Sequence, residues 1–355
     1  MASHITSSLT YNGERISDVA GAPCLSRFFP ANPDRPLIVL IPGGAHNARI
    51  FYGGHEGFNP DDFLTTWLNR SGYGALAISY PFESEHQILP ATAPNFRIDS
   101  WGRQAAQVTK HTVDEHDLCG DVVLVGWSMG GRMLGPYART ATGLGLTFKL
   151  FVSLAATPGL PGARPGPPET KLTQAGYATL ADMLGYFMLQ VHDQELENGG
   201  KTIIPERIYA TDYFGATPVG LLGWGVESYD EWAYVKDAAV HPVSDLPWMA
   251  NLIPTSRLDG RHVLTDRATW TYLMTLKLTQ IVQDVFRQPQ LDPEHWRRIV
   301  DFVHSTPMKL SASVRGNHFF FLGRSGAEAT AAGIFKMLEE SESLRVALDR
   351  LLKSS

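Results

Sequence analysis

Apolar residues in the first third of the chain fall into short continuous runs, and the stretches between them have helical spacing. Residues 37–41 read LIVLI and run into PGG at 42–44; GALAISY over 74–80, DVVLV over 121–125 and FKLFVSLA over 148–155 repeat the theme. Runs this short with no polar face fit strands buried on both sides, and helical stretches over 61–69 and 101–116 supply the crossovers that parallel strands require. The pattern therefore predicts an α/β fold, a mostly parallel sheet flanked by helices.

The texture changes at Thr157. TPGLPGARPGPPETK, over 157–171, can continue neither a helix nor a central strand. The stretch from there to residue 290 is rich in Trp, Tyr, Phe and Met with helical periodicity, and Trp270, Met274, Leu278, Ile281 and Val285 share one face of a long helix. Two readings stay open: a helical subdomain packing its own core, or a helical lid whose apolar underside faces a substrate. The predicted organisation is core over 1–156, a helical lid or cap insertion over 157–290, and core again over 291–355. This last part opens with a helix over 292–305 started by Asp-Pro, continues as an alternating strand over 308–314 and closes with a helix.

Composition narrows the classes. With 355 residues, 44% of them hydrophobic, the chain can bury a full core for one catalytic domain carrying an insertion. The net charge of −6 is spread along the length, with no basic stripe for a nucleic acid and no polybasic membrane patch. Cys24 and Cys119 make neither a disulfide framework nor a metal-type spacing, which fits a reducing compartment. The opening residues lack a cationic stretch followed by an apolar one, and no apolar run approaches a bilayer span. The expectation is a soluble, cytoplasmic protein without a membrane span.

The chemistry centres on Gly126-Trp127-Ser128-Met129-Gly130-Gly131, which stands directly after DVVLV and before a helical stretch. A nucleophile on a sharp strand-to-helix turn needs glycines around it, because the bent backbone brings its neighbours too close for side chains. The helix after the turn aims its N-terminal amides at developing negative charge. The bland alternative is a packing turn with an idle serine. Acyl chemistry also needs two backbone N–H groups at an oxyanion: Met129 supplies one, and the Pro42-Gly43-Gly44-Ala45-His46 turn the other, from Gly44 or else Ala45. His46 is read as solvated. Of 12 histidines, His318 in Val314-Arg315-Gly316-Asn317-His318-Phe319-Phe320 comes after the last strand, with a glycine to permit a turn and aromatics to shield the ring.

Strand-PGG, strand-GWSMGG-helix, insertion and strand-GNH resemble the α/β-hydrolase family in serial order as well as in local motif, over about 35–156 and 292–340. The resemblance implies a serine hydrolase with Ser128 as nucleophile and His318 as base, no metal and no organic cofactor. It also implies an Asp or Glu after the seventh strand, but no strand ending in Gly-x-x-Asp is visible before 308. Asp292 is the first choice for the acid, because the helix feeding the last strand must start beside the catalytic loop and because it precedes His318 by 26 residues (318 − 292), a spacing similar to the family's. Asp259 in SRLDGRH is the rival, and a plain helix cap is the alternative role for Asp292. The aromatic insertion suggests an apolar, bulky ester, thioester or lactone, an acyl-type small molecule rather than a peptide or sugar. Two further classes stay open: a non-hydrolytic reaction on the same Ser-His pair (acyl transfer, carbon-carbon cleavage or cyclisation) and a non-catalytic ligand-binding module.

Overall fold

The structure is a computed structural model that describes residues 9–160, 170–222, 231–238, 242–287 and 291–353. The opening residues 1–8 and most of the Pro/Gly-rich stretch, 161–169, lie outside them. Eight strands form one sheet: β1 (Glu14–Val19), β2 (Ala22–Phe29), β3 (Leu37–Ile41), β4 (Ala75–Ser79), β5 (Asp121–Trp127), β6 (Thr147–Leu154), β7 (Met249–Ile253) and β8 (Ser311–Ser313). Their spatial order is β1-β2-β4-β3-β5-β6-β7-β8. β1 and β2 pair antiparallel and β2 lies antiparallel to β4, while β4, β3, β5, β6, β7 and β8 run parallel.

Every residue of β3, β4 and β7 is buried, as expected of strands covered by helices on both faces. The helices that frame the sheet and the site are α1 (Leu64–Arg70), α2 (Ile98–Glu115), α3 (Leu134–Gly143), α4 (Leu184–Glu197), α5 (Gly260–Phe286), α6 (Pro293–Lys309) and α7 (Arg324–Lys353), and shorter helices lie between α4 and β7. Among the described residues no helix is long and apolar enough to cross a membrane.

The expected insertion boundary moves. β7 pairs with β6 and β8 inside the stretch assigned to the lid, so the excursion from the sheet covers 155–248, and 249–290 is core. α5 is accordingly a crossover helix packed on β7 and α6. Its apolar face is the predicted one at Trp270, Met274, Leu278 and Val285, all buried, whereas Ile281 is 37% exposed. Trp270 settles against Phe151 of β6, ring centroids 5.0 Å apart, and its Nε1–H donates to Ala156 O at 3.0 Å.

Candidate active site

β5 ends at Trp127, and Ser128 takes φ 52°, a left-handed backbone that a non-glycine residue rarely adopts. The chain then winds through a 3-10 turn over Ser128–Met133 into α3. The elbow is tight: Ser128 O accepts from Thr157 N–H at 2.8 Å, and a Cβ on Gly131 would lie 2.6 Å from Thr157 O. The glycines of GWSMGG thus permit close passage of the chain that leaves β6, and the strained serine is held from both sides.

His318 lies after β8 on a loop whose shape the GNH sequence dictates. Gly316 has φ 131°, where an added Cβ would meet Gln194 Oε1 at 2.6 Å. Asn317 is fully buried; its Nδ2 donates to Gln190 O at 2.7 Å and Asp193 Oδ2 at 2.9 Å, and its Oδ1 accepts from Phe319 N–H at 2.9 Å. The loop is fastened to α4 of the insertion, and Trp127 Nε1–H donates to His318 O at 2.9 Å.

The carboxylate on His318 is Asp259, Nδ1 to Oδ2 at 2.8 Å. Asp292, the first choice from sequence, is instead the N-cap of α6, with Oδ2 accepting from His295 N–H at 2.9 Å. The topological argument for Asp292 fails because β7 was not recognised: with β7 in the sheet, the loop after it carries Asp259 to the same edge as the β8 loop. Thr255 and Ser256 N–H both donate to Gly316 O, at 2.9 and 2.8 Å, and clamp the two loops together. Burial alone would push the Asp259 carboxyl up, but the surrounding His318, His262 and Arg261 outweigh it and hold Asp259 below its ordinary value. It is therefore a carboxylate at neutral pH, suited to accept the Nδ1 proton and leave Nε2 as the basic nitrogen.

Ser128, Met129, Gly44, Asp259 and His318 line one cavity of about 180 Å³, with Leu180, Met183, Phe187 and Gln190 from the insertion among its walls. A larger hollow of about 660 Å³, bounded by β1, β2 and α2, has serines and histidines in its lining, and the carboxylate beside them, Glu115, is paired with Arg15 and His111.

Two features distinguish Gly44 from Ala45. Ala45 N–H is already donated to Thr217 Oγ1 at 2.8 Å. Gly44 itself is oriented by His46, whose Nδ1 donates to Gly44 O at 2.8 Å while Nε2 accepts from Tyr209 O–H at 2.5 Å. The solvated reading of His46 is thereby corrected: it is 1% exposed, ringed by Trp127, Phe187, Tyr209, Phe214 and Phe319, and burial pushes its pKa down to about 3.

Sequence reasoning passed over Arg261 and His262, both in SRLDGRH and both on the cavity wall. His262 stacks on His318, centroids 5.0 Å apart at 28°. Its Nδ1 meets both Asp266 oxygens at 2.9 Å and its Nε2 meets Arg261 Nη2. A guanidinium has no acceptor, so Nε2 is the unprotonated nitrogen and Nδ1 donates to Asp266. Arg261 Nη2 also donates to Thr157 Oγ1 at 3.1 Å. Asp259, His262 and His318 offer ligand atoms within 4.8 Å of one another, but the guanidinium on His262 Nε2 occupies the lone pair a cation would need.

The sequence profile of the Alpha/beta hydrolase family matches residues 38–332. The chain belongs to this family. Among solved structures, a thermophilic esterase from Thermogutta terrifontis is similar at 13% identity and TM-score 0.51, over 96% of this chain and 99% of the esterase. A putative lipase from Sulfolobus solfataricus is similar at 10% identity and TM-score 0.50, over 96% and 99% of the respective chains. At these identities the likeness concerns the fold. No curated protein matches the sequence. In this chain PGG, GWSMGG and GNH occupy the β3, β5 and β8 loops at the C-terminal edge of the sheet, where open α/β sheets bind ligands.

Proposed function

We propose that the protein is a serine esterase that cleaves an ester, thioester or lactone with an apolar acyl group through an acyl-enzyme on Ser128. The observation that carries the reading is the His318–Asp259 pair, 2.8 Å apart, bordering the same cavity as a serine on a positive-φ elbow. In the first half-reaction His318 Nε2 takes the hydroxyl proton as Ser128 Oγ bonds to the carbonyl carbon. The carbonyl electron pair moves onto oxygen, facing the amides of Met129 and Gly44. Collapse breaks the bond to the leaving group, which receives the proton from His318. Water then repeats the sequence on the acyl-enzyme and releases the acid, with Ser128 regaining its proton. Asp259 holds the imidazole in the required tautomer and offsets the charge it gains.

The cavity walls, Met129, Leu180, Met183, Phe187, Leu222 and Leu258, favour a small apolar acyl group. Because four of these six come from 155–248, the insertion acts as the lid. Turnover of 4-nitrophenyl butyrate by wild type and Ser128→Ala tests the assignment. The variant is expected to lose roughly 10⁴-fold or more in kcat; retained turnover would move the chemistry away from Ser128.

A further inference from the structure

Arg261 is the one guanidinium among the described residues lining the Ser128 cavity. Its neighbours are neutral or already engaged. Thr157 Oγ1 and the His262 lone pair meet Nη2, Asp259 is committed to His318, and Arg261 makes no salt bridge among the described residues. Asp266, the other nearby acid, accepts the His262 Nδ1 proton at 2.9 Å and makes no ion pair with Arg261 among the described residues. Burial pulls the guanidinium below its ordinary value, against the opposing pull of Asp266 and Asp259.

Holding a half-buried arginine this way costs free energy. A cation needed only for solubility would extend into water. The Asp266–His262 pair instead turns a lone pair onto the arginine and fixes where its fork lies.

We infer that Arg261 is an anion-recognition group, and that the preferred substrates are esters, thioesters or lactones carrying a carboxylate next to their apolar part. A planar fork matches a carboxylate in two parallel hydrogen bonds, and a partly desolvated pair is worth more than an exposed one. The inference deepens the esterase reading and rests on it for the reaction, while the anion site itself can be tested apart from turnover.

The test pairs each anionic ester with a neutral match. 4-Nitrophenyl hydrogen glutarate against 4-nitrophenyl pentanoate places the charge on the acyl side; 4-acetoxybenzoate against phenyl acetate places it on the alcohol side. Wild type is expected to favour the anionic member of one pair. Arg261→Gln should lower the anionic-to-neutral ratio of kcat/KM for that pair by about 10- to 100-fold, and Arg261→Lys, with the charge but not the fork, should fall between. Calorimetric titration with glutarate supplies the independent readout, with heat in wild type and its loss in Arg261→Gln, each variant first shown to melt cooperatively.

Ester turnover with unchanged ratios in both pairs and no glutarate heat overturns the anion site and leaves the esterase. Arg261-dependent glutarate binding without turnover of any ester upholds the anion site and removes the esterase.

Discussion

Asp259 and Asp292 carry the same functional group, and what their oxygens meet separates them: one faces an imidazole, the other a helix-terminal amide. Asp259→Asn should therefore lower kcat on an ester by about 10⁴-fold, because an amide stabilises the wrong imidazole tautomer. Asp292→Ala should leave kcat nearly unchanged and cost about 1 kcal/mol of stability, the worth of an N-cap. The reverse pattern in steady-state kinetics and urea unfolding would restore Asp292. His46 adds a pH effect of defined sign. Its folded pKa, about 3, lies below the ordinary 6.5, so between these values the unfolded chain binds more protons than the folded one. Stability attributable to His46 is fully present above about 6.5 and falls as pH drops toward 3. His46→Gln should lack that part of the acid slope in chemical unfolding; an identical slope would mean His46 is protonated in the fold. That Ser128, Met129, Gly44 and His318 meet on one cavity was legible in the sequence because the elbow and the GNH loop require glycines beside them. Arg261 and His262 were not, because a guanidinium's partners are set by where two distant loops meet.

At the level of elements, unbroken apolar runs such as LIVLI were readable as strands, and β7 was not. Met249–Ile253 is five residues between Trp248 and Pro254, and it carries Asn251 at a buried position. That asparagine reads as a loop residue in one dimension; in the sheet its Oδ1 accepts from Ser311 O–H of β8 at 2.8 Å. One missed strand displaced both the insertion boundary and the choice of acid. Close approach of helices is the other feature that periodicity does not record. Gly102 lies inside α2, where alanine is ordinarily favoured by about 1 kcal/mol. Here an added Cβ would fall 2.4 Å from Pro136 Cβ and 2.5 Å from Tyr137 N of α3. Overlap with backbone outweighs propensity, so Gly102→Ala is expected to destabilise by about 1–3 kcal/mol in thermal unfolding. A raised Tm would show that α2 and α3 separate without cost.

Across the whole molecule, the insertion is joined to the sheet through a buried charged cluster as well as through the site. Arg49 is bound by Glu14 of β1, with Nε to Oε1 and Nη2 to Oε2 both at 2.8 Å, and Tyr52 O–H donates to Oε1 at 2.6 Å. Nη1 of Arg49 approaches Asp212 of the insertion at 3.9 Å, and Tyr11 O–H donates to the same carboxylate at 2.5 Å. The Arg49 and Glu14 side chains are 1% and 0% exposed, so removing one charge strands the other. Glu14→Gln should cost about 3–5 kcal/mol in chemical unfolding, and an unchanged midpoint would mean that the cluster is solvated. The reaction proposed for the site depends on an activated serine at the edge of this sheet, and intact mass after exposure to a fluorophosphonate reads that activation without any choice of substrate. Wild type should gain one adduct quickly, while Ser128→Ala gains none and His318→Ala reacts far more slowly. An unlabelled wild type, or a Ser128→Ala variant labelled as fast as wild type, would mean that Ser128 is not the nucleophile.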